Sequence, residues 1–179
     1  VFARTGAGPK GISAFLVAAS AKGFRVSKQM ELMGEHPIGE LVLDGVDGEL
    51  LGDEGAGMKL ALGTLDIFRS TVGAAAVGMA RRALDEALSY SKSRKQFGAP
   101  LAELSAVQAL LADSAVELEA SRLLVHQAAL TKDQGQARVT YEAAVAKLFS
   151  TEAAQRIIDR CLQVHGGNGV VKGAAVERL

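Results

Sequence analysis

Three short segments carry groups able to do chemistry. Gln163-Val164-His165-Gly166-Gly167-Asn168-Gly169 sets three glycines within four positions at the end of a helical pattern. Glycine permits positive φ and lets backbone N–H groups meet a ligand with no side chain between, which suits a flat ring or a phosphate. The same glycines would also cap a helix, and the residues alone leave both uses open. Arg94-Lys95-Gln96-Phe97-Gly98 offers a guanidinium fork for a diphosphate, the Gln96 amide for a ring edge and Phe97 for stacking on a base. A solvated basic turn with Phe97 plugged into a helical core is the competing reading. Asp66 and Arg69 share one helix face. They form either a surface ion pair contributing about 0.2–0.5 kcal/mol or, with Leu65, Phe68 and Val72 around Arg69, an anion grip beside an apolar channel. His36, His126 and His165 fall on different elements and no Glu-x-x-His pair occurs, so no metal centre is expected.

Two kinds of element must position these groups. From Val1 to about Gly52 the pattern is strand-like: Val1-Phe2-Ala3, Ile12 to Val17, Phe24-Arg25-Val26 and Glu40 to Leu43, punctuated by Gly6, Gly8-Pro9, Gly23, Pro37 and Gly45. Four such strands cannot cover both faces of a sheet, so they pack on the helices C-terminal to them or belong to a larger domain. After Gly52-Asp53-Glu54-Gly55 the period lengthens. Met58, Leu62, Leu65, Phe68, Val72, Ala76, Met79, Ala83 and Ala87 form one stripe, predicting a long helix that ends near Lys92. Its glycine- and alanine-rich stretch from Gly73 to Ala83 predicts close approach of another helix. A second stripe, Leu104, Val107, Leu111, Ser114 and Leu118, runs to about Leu130 and stops at Asp133-Gln134-Gly135. A third runs through Tyr141, Val145, Leu148, Ile157-Ile158 and Cys161-Leu162 to Gly166-Gly167. Three long helices joined by short turns pack antiparallel, and a fourth would complete a bundle. The fold class expected is therefore α+β, mainly α: part of a β-barrel-like domain over 1–52, then a helical bundle over 53–179 that stops before its last helix.

Composition narrows the partners. The 179 residues are 49% hydrophobic and 22% charged, as in ordinary globular chains. Twenty basic side chains balance twenty acidic ones, so no net field favours nucleic acid or anionic lipid. No unbroken apolar stretch of about eighteen residues is read, and hence no membrane span. The single Cys161 reads as a buried thiol in a reducing compartment, and the expected location is cytoplasmic. The opening at Val1 inside a strand pattern, and the helix-like Val176-Glu177-Arg178-Leu179 at the other end, suggest a piece of a longer chain.

The segments taken in order resemble the acyl-CoA dehydrogenase family from about Gly11 to Leu179. The residues that carry the likeness are Gly11-Ile-Ser-Ala-Phe-Leu-Val17, Gly39-Glu-Leu-Val-Leu-Asp-Gly-Val46, Leu50-Leu-Gly-Asp-Glu-Gly-Ala-Gly-Met58, Arg94-Lys-Gln-Phe-Gly-Ala-Pro-Leu101 and Gln163-Val-His-Gly-Gly-Asn-Gly169. The resemblance implies an FAD enzyme with a helical N-terminal domain, a central β-domain and a four-helix bundle that builds a tetramer. It implies that Arg94, Gln96 and Phe97, together with Gln163, Gly166 and Gly167, contact the FAD diphosphate and adenosine across a subunit interface. Asp66 and Arg69 would serve the CoA-thioester substrate. In the family reaction a glutamate base removes the α-proton of an acyl-CoA, the β-hydride goes to flavin, and electrons pass to an electron-transferring flavoprotein. That glutamate usually lies beyond the position of Leu179, and its alternative position is Phe68 here, so no catalytic base is assigned. Leu104-Ser105 stands where the family has Phe-Gln, removing one flavin contact. An acyl-CoA oxidase, a flavin monooxygenase relative and a non-catalytic oligomerisation module are the alternative readings.

Overall fold

In the computed structural model the chain divides into two compact units, Val1–Thr64 and Leu65–Leu179. The structure describes residues 1–34 and 36–179. The sequence pattern places the change at Gly52-Asp53; the boundary between the two compact units falls within the first helix, whose opening turn packs on a strand of the first unit.

In the first unit β1 (Phe2–Arg4), β2 (Ile12–Leu16) and β5 (Glu49–Leu50) form an antiparallel sheet in the order β1-β2-β5, with Phe2 opposite Ala14 and Phe15 opposite Leu50. β5 is absent from the strands expected, because two residues are too few to show alternation. β3 (Phe24–Gln29) and β4 (Gly39–Leu43) make a separate hairpin with a register irregularity between Val26 and Lys28. Ser13 on β2 is fully buried, and its Oγ accepts the Gly55 N–H at 2.8 Å while sharing a 2.7 Å hydrogen bond with Thr5 Oγ1. A Cβ on Gly57 would lie 2.8 Å from the Ile12 carbonyl oxygen, so glycine there lets α1 start directly against β2. Phe2, Leu16, Val26, Leu41 and Leu43 are exposed, leaving the sheets' apolar faces open within this unit.

The second unit is helical. α1 (Gly57–Ser93) begins in the first unit, and α2 (Ser105–Asp133) and α3 (Thr140–His165) come after it through short connections. The core joins Ala76, Ala80, Ala83, Leu84 and Ala87 of α1 to Ala153, Ala154, Ile157, Ile158, Cys161 and Val164 of α3, flanked by Val107, Leu110, Leu111 and Leu118 of α2. Alanine so dominates this core that the helices approach closely: a Cβ on Gly73 would come within 3.0 Å of Val125 and 3.4 Å of the Ala146 carbonyl. Gly78, in the same stretch, meets nothing within 4 Å and has no such role inside the unit.

Two stripes need correction. On α1, Met58, Leu62, Leu65, Phe68, Val72 and Met79 are exposed, and the buried line is alanine. On α3, Tyr141 and Leu148 are exposed while Ile157, Ile158 and Cys161 are buried as expected. Periodicity weights large apolar residues, whereas a tightly packed helix pair buries small ones. α1 is also long and apolar enough to cross a membrane by length and composition, although few residues of the apolar window are buried. Between Lys59 and Arg81 its only charges are Asp66 and Arg69, which interrupt the apolar run and pair with each other.

Candidate functional site

The end of α1 and the end of α3 build one cleft. After Ser93 the chain turns through a minimal hairpin, β6 (Lys95–Gln96) paired with β7 (Ala99–Pro100), where the sequence pattern suggests only a plain turn. The Leu101 N–H donates to the Arg94 carbonyl at 2.9 Å and closes it. Phe97 and Gly98 occupy its tip with φ of 55° and 86°, the double left-handed geometry that matches the twist of a two-residue hairpin. Glycine adopts it freely; for phenylalanine it is strained. At this tip the Phe97 ring is 92% exposed. The ring is not plugged into the core, while Arg94, Lys95 and Gln96 beside it are exposed, as in a solvated turn.

α3 ends at Gly166, whose φ is 57° and whose N–H donates to the Gln163 carbonyl. The 3-10 turn after it, Gly166–Val170, brings Gly167 and Asn168 back beside the α1 terminus. A cavity of about 340 Å³ there is lined by Arg94 and Gln96 from one side and by Gln163, Gly166 and Gly167 from the other. Five of the six residues expected to hold a dinucleotide thus share one cleft, and Phe97 stands outside it at the hairpin tip. Tyr90, His165 and Asn168 also line the cleft, and the sequence motifs give these three side chains no part. The signal for Tyr90 is its spacing, one helical turn before Arg94.

Asp66 and Arg69 lie elsewhere. At about 1.5 Å per residue, roughly 35 Å of α1 separates Arg69 from Arg94. Arg69 donates to Asp66 Oδ1 at 3.1 Å, and Thr140, the first residue of α3, donates to Asp66 Oδ2 at 2.6 Å. Both carboxylate oxygens are engaged, and the side chains are 17% and 32% exposed for Asp66 and Arg69. Phe68, between them, is exposed and carries no acid-base group.

Away from these groups, Cys161 and Glu117 have shifted titration. Burial pushes the Cys161 thiol up to about 11, against the opposing charge of Arg160. Burial raises Glu117 too, but hydrogen bonds from Arg160 and Arg156, with their charges, outweigh it and hold the carboxyl below its ordinary range. Among the described residues Arg94 has no carboxylate partner, in contrast to Arg156 and Arg160.

The acyl-CoA dehydrogenase C-terminal domain model matches residues 55–179. The chain belongs to the acyl-CoA dehydrogenase family. It is 41% identical to cyclohexane-1-carbonyl-CoA dehydrogenase of Geobacter metallireducens over all of this chain and 48% of that protein. Butyryl-CoA dehydrogenase from Megasphaera elsdenii superposes with a TM-score of 0.95 at 39% identity, covering 99% of this chain and 48% of that one. A chain in the structure of the electron transferring flavoprotein of Acidaminococcus fermentans superposes with a TM-score of 0.94 at 39% identity, over 99% and 48% of the two. The chain therefore spans about half the length of the acyl-CoA dehydrogenases it matches.

Acyl-CoA dehydrogenases depend on FAD, and the cleft fits such a group. A Cβ on Gly169 would lie 2.8 Å from the Leu162 carbonyl, so that glycine serves internal packing. Gly166 needs its positive φ. Gly167 has neither reason: its φ is not left-handed and an added Cβ would meet nothing within 4 Å. Its bare backbone faces open space next to an unpaired guanidinium, the donor set a diphosphate requires.

Proposed function

We propose that this chain is the part of an FAD-dependent acyl-CoA dehydrogenase that holds the diphosphate and adenosine end of the cofactor, with the cofactor shared between neighbouring copies of the bundle. The observation that carries the reading is the convergence of Arg94, Gln96, Gln163, Gly166 and Gly167 on one cleft. Arg94 neutralises phosphate charge with a forked donor. Gly167, beside the Gly166 cap, lets a phosphate oxygen reach the backbone, and the two glutamine amides read polar edges. Phe97, held outward by its hairpin, offers an aromatic face to a base carried by another chain, at low cost because it is already exposed.

When bound, FAD supplies the two-electron acceptor for α,β-dehydrogenation of an acyl-CoA thioester. Arg69, aligned by Asp66, stands more than three turns into α1, beside exposed Leu65, Phe68 and Val72, a combination suited to an anionic group on an apolar chain. The structural likeness to the Acidaminococcus fermentans chain supports an electron-transferring flavoprotein as the acceptor of the electrons. Exposed apolar residues along α1 and α2 support assembly into a homo-oligomer, a tetramer by family resemblance.

Arg94→Ala in the full-length protein tests the reading. Loss of one charge-assisted contact, worth about 1.5–3 kcal/mol, lowers FAD affinity by at least tenfold. Flavin content unchanged after exhaustive dialysis refutes the role of Arg94.

A further inference from the structure

We propose that Tyr90, His165 and Asn168 form a staple that positions the two walls of the cofactor cleft, an inference resting on the reading of that cleft as the FAD site. The walls come from distant parts of the chain. Arg94 and Gln96 follow α1, whereas Gln163, Gly166 and Gly167 close α3, so their spacing depends on how the two helix ends are joined.

Tyr90 makes that join. Its carbonyl accepts the Arg94 N–H at 2.8 Å, so the last turn of α1 carries the tyrosine and the arginine together. Its ring stacks on His165, the final residue of α3, with centroids 4.6 Å apart and planes 27° from parallel. Its hydroxyl oxygen accepts from Asn168 Nδ2 at 2.8 Å. The imidazole is held in turn, since His165 Nδ1 lies 2.7 Å from the Cys161 carbonyl. A carbonyl can only accept, so Nδ1 carries the proton and the ring is pinned to its own helix. Tyr90 therefore contacts α3 through His165 and the glycine turn through Asn168. Gly167 sits between these two anchors. All three side chains line the cleft, yet neither Tyr90 nor Asn168 brings a charge that would by itself explain binding of a diphosphate. Holding the charged and bare-backbone groups in register is the work their contacts define, and binding sites lose affinity when such support loosens.

The test uses full-length protein stripped of flavin and titrated with FAD by flavin fluorescence, alongside thermal unfolding of the stripped form. Tyr90→Phe keeps the stacked ring and removes the hydroxyl; Asn168→Ala removes the other end of the same bond. Each raises the FAD Kd about fivefold, the effect of one neutral hydrogen bond. The double variant does no more than either alone, because both delete one contact. Tyr90→Leu, which also loses the stack, weakens FAD further, by about another fivefold. Melting temperatures of the stripped Tyr90→Phe and Asn168→Ala proteins stay at the parental value. FAD affinity equal to the parent in both single variants overturns the staple while leaving the cofactor reading intact. So does a lowered melting temperature with unchanged affinity, which would make the contact merely structural, and so do additive effects in the double variant. A parent protein that binds no FAD removes the cofactor reading and the staple with it.

Discussion

The three glycines that end α3 answer to three different demands, and substitution separates them. Gly169→Ala forces a Cβ to 2.8 Å from the Leu162 carbonyl and is expected to destabilise the fold by about 1–3 kcal/mol. Gly167→Ala meets nothing, so thermal stability should hold while FAD affinity falls, because the methyl group occupies the space a phosphate would take. Retained flavin in Gly167→Ala would show that the cofactor does not approach there. The motif is legible in sequence, but its division of labour is not, since a glycine's neighbours are known only after folding. Cys161 makes a second point at this scale. It is 1% exposed and its thiol is pushed up to about 11 by burial, so the nucleophilic thiolate is scarce near neutrality. Iodoacetamide should leave it unmodified in the folded protein and label it in urea; rapid labelling of native protein contradicts the burial.

Each end of α3 is fastened to the rest of the helical unit, by Thr140 at the start and by His165 at the finish. Thr140 donates to Asp66, which also accepts from Arg69, and a carboxylate beside a helix N-terminus gains from the helix dipole as well. Asp66→Ala should therefore destabilise the bundle by about 1–3 kcal/mol, read by urea unfolding. An effect on substrate alone, with stability intact, would restore Asp66 to a direct binding role. Mid-helix, Glu117 of α2 binds Arg156 and Arg160 of α3 at 3.1 and 2.9 Å. Its folded carboxyl titrates below the ordinary value of 4.5. The pair's contribution is thus fully present above that value and lost as pH falls through the folded one. Glu117→Gln should lower stability at neutral pH and flatten the loss between about pH 5 and pH 3. Unfolding curves of variant and parent that stay parallel across that range would count against the ion pair. Neither link can be read from the sequence. Asp66 and Thr140, like Glu117 and Arg160, are far apart in the chain, and only packing shows that they meet.

At the scale of the whole molecule, the two units leave large apolar side chains open. Val116, Leu123 and Leu130 repeat along one face of α2, and Leu62, Leu65 and Val72 along α1. Large apolar patches are uncommon on the free surface of a soluble protein, and the proposed assembly of the bundle with its own copies would cover these. Leu123→Glu in the full-length protein is expected to shift its mass by light scattering towards smaller species, with the far-ultraviolet circular dichroism unchanged. A mass unaltered by that charge places the interface elsewhere.

Three helices, four of the strands, the family and the two motifs of the cleft are legible in the amino-acid order alone. These depend on local chemistry: turn residues stop elements, apolar spacing sets their period, and the basic turn at Arg94 and the glycine run at Gly166 are each a short contiguous segment. The sequence could not determine which face of α1 is buried. The core there is alanine, and hydrophobic patterning follows the larger residues, which stay exposed in this chain. Nor could it join Arg94 to Gly166 or bring Tyr90 onto His165. Those pairings exist because two helix ends come to lie side by side, and that proximity comes from the close packing of small residues between α1 and α3, not from any one segment's preference.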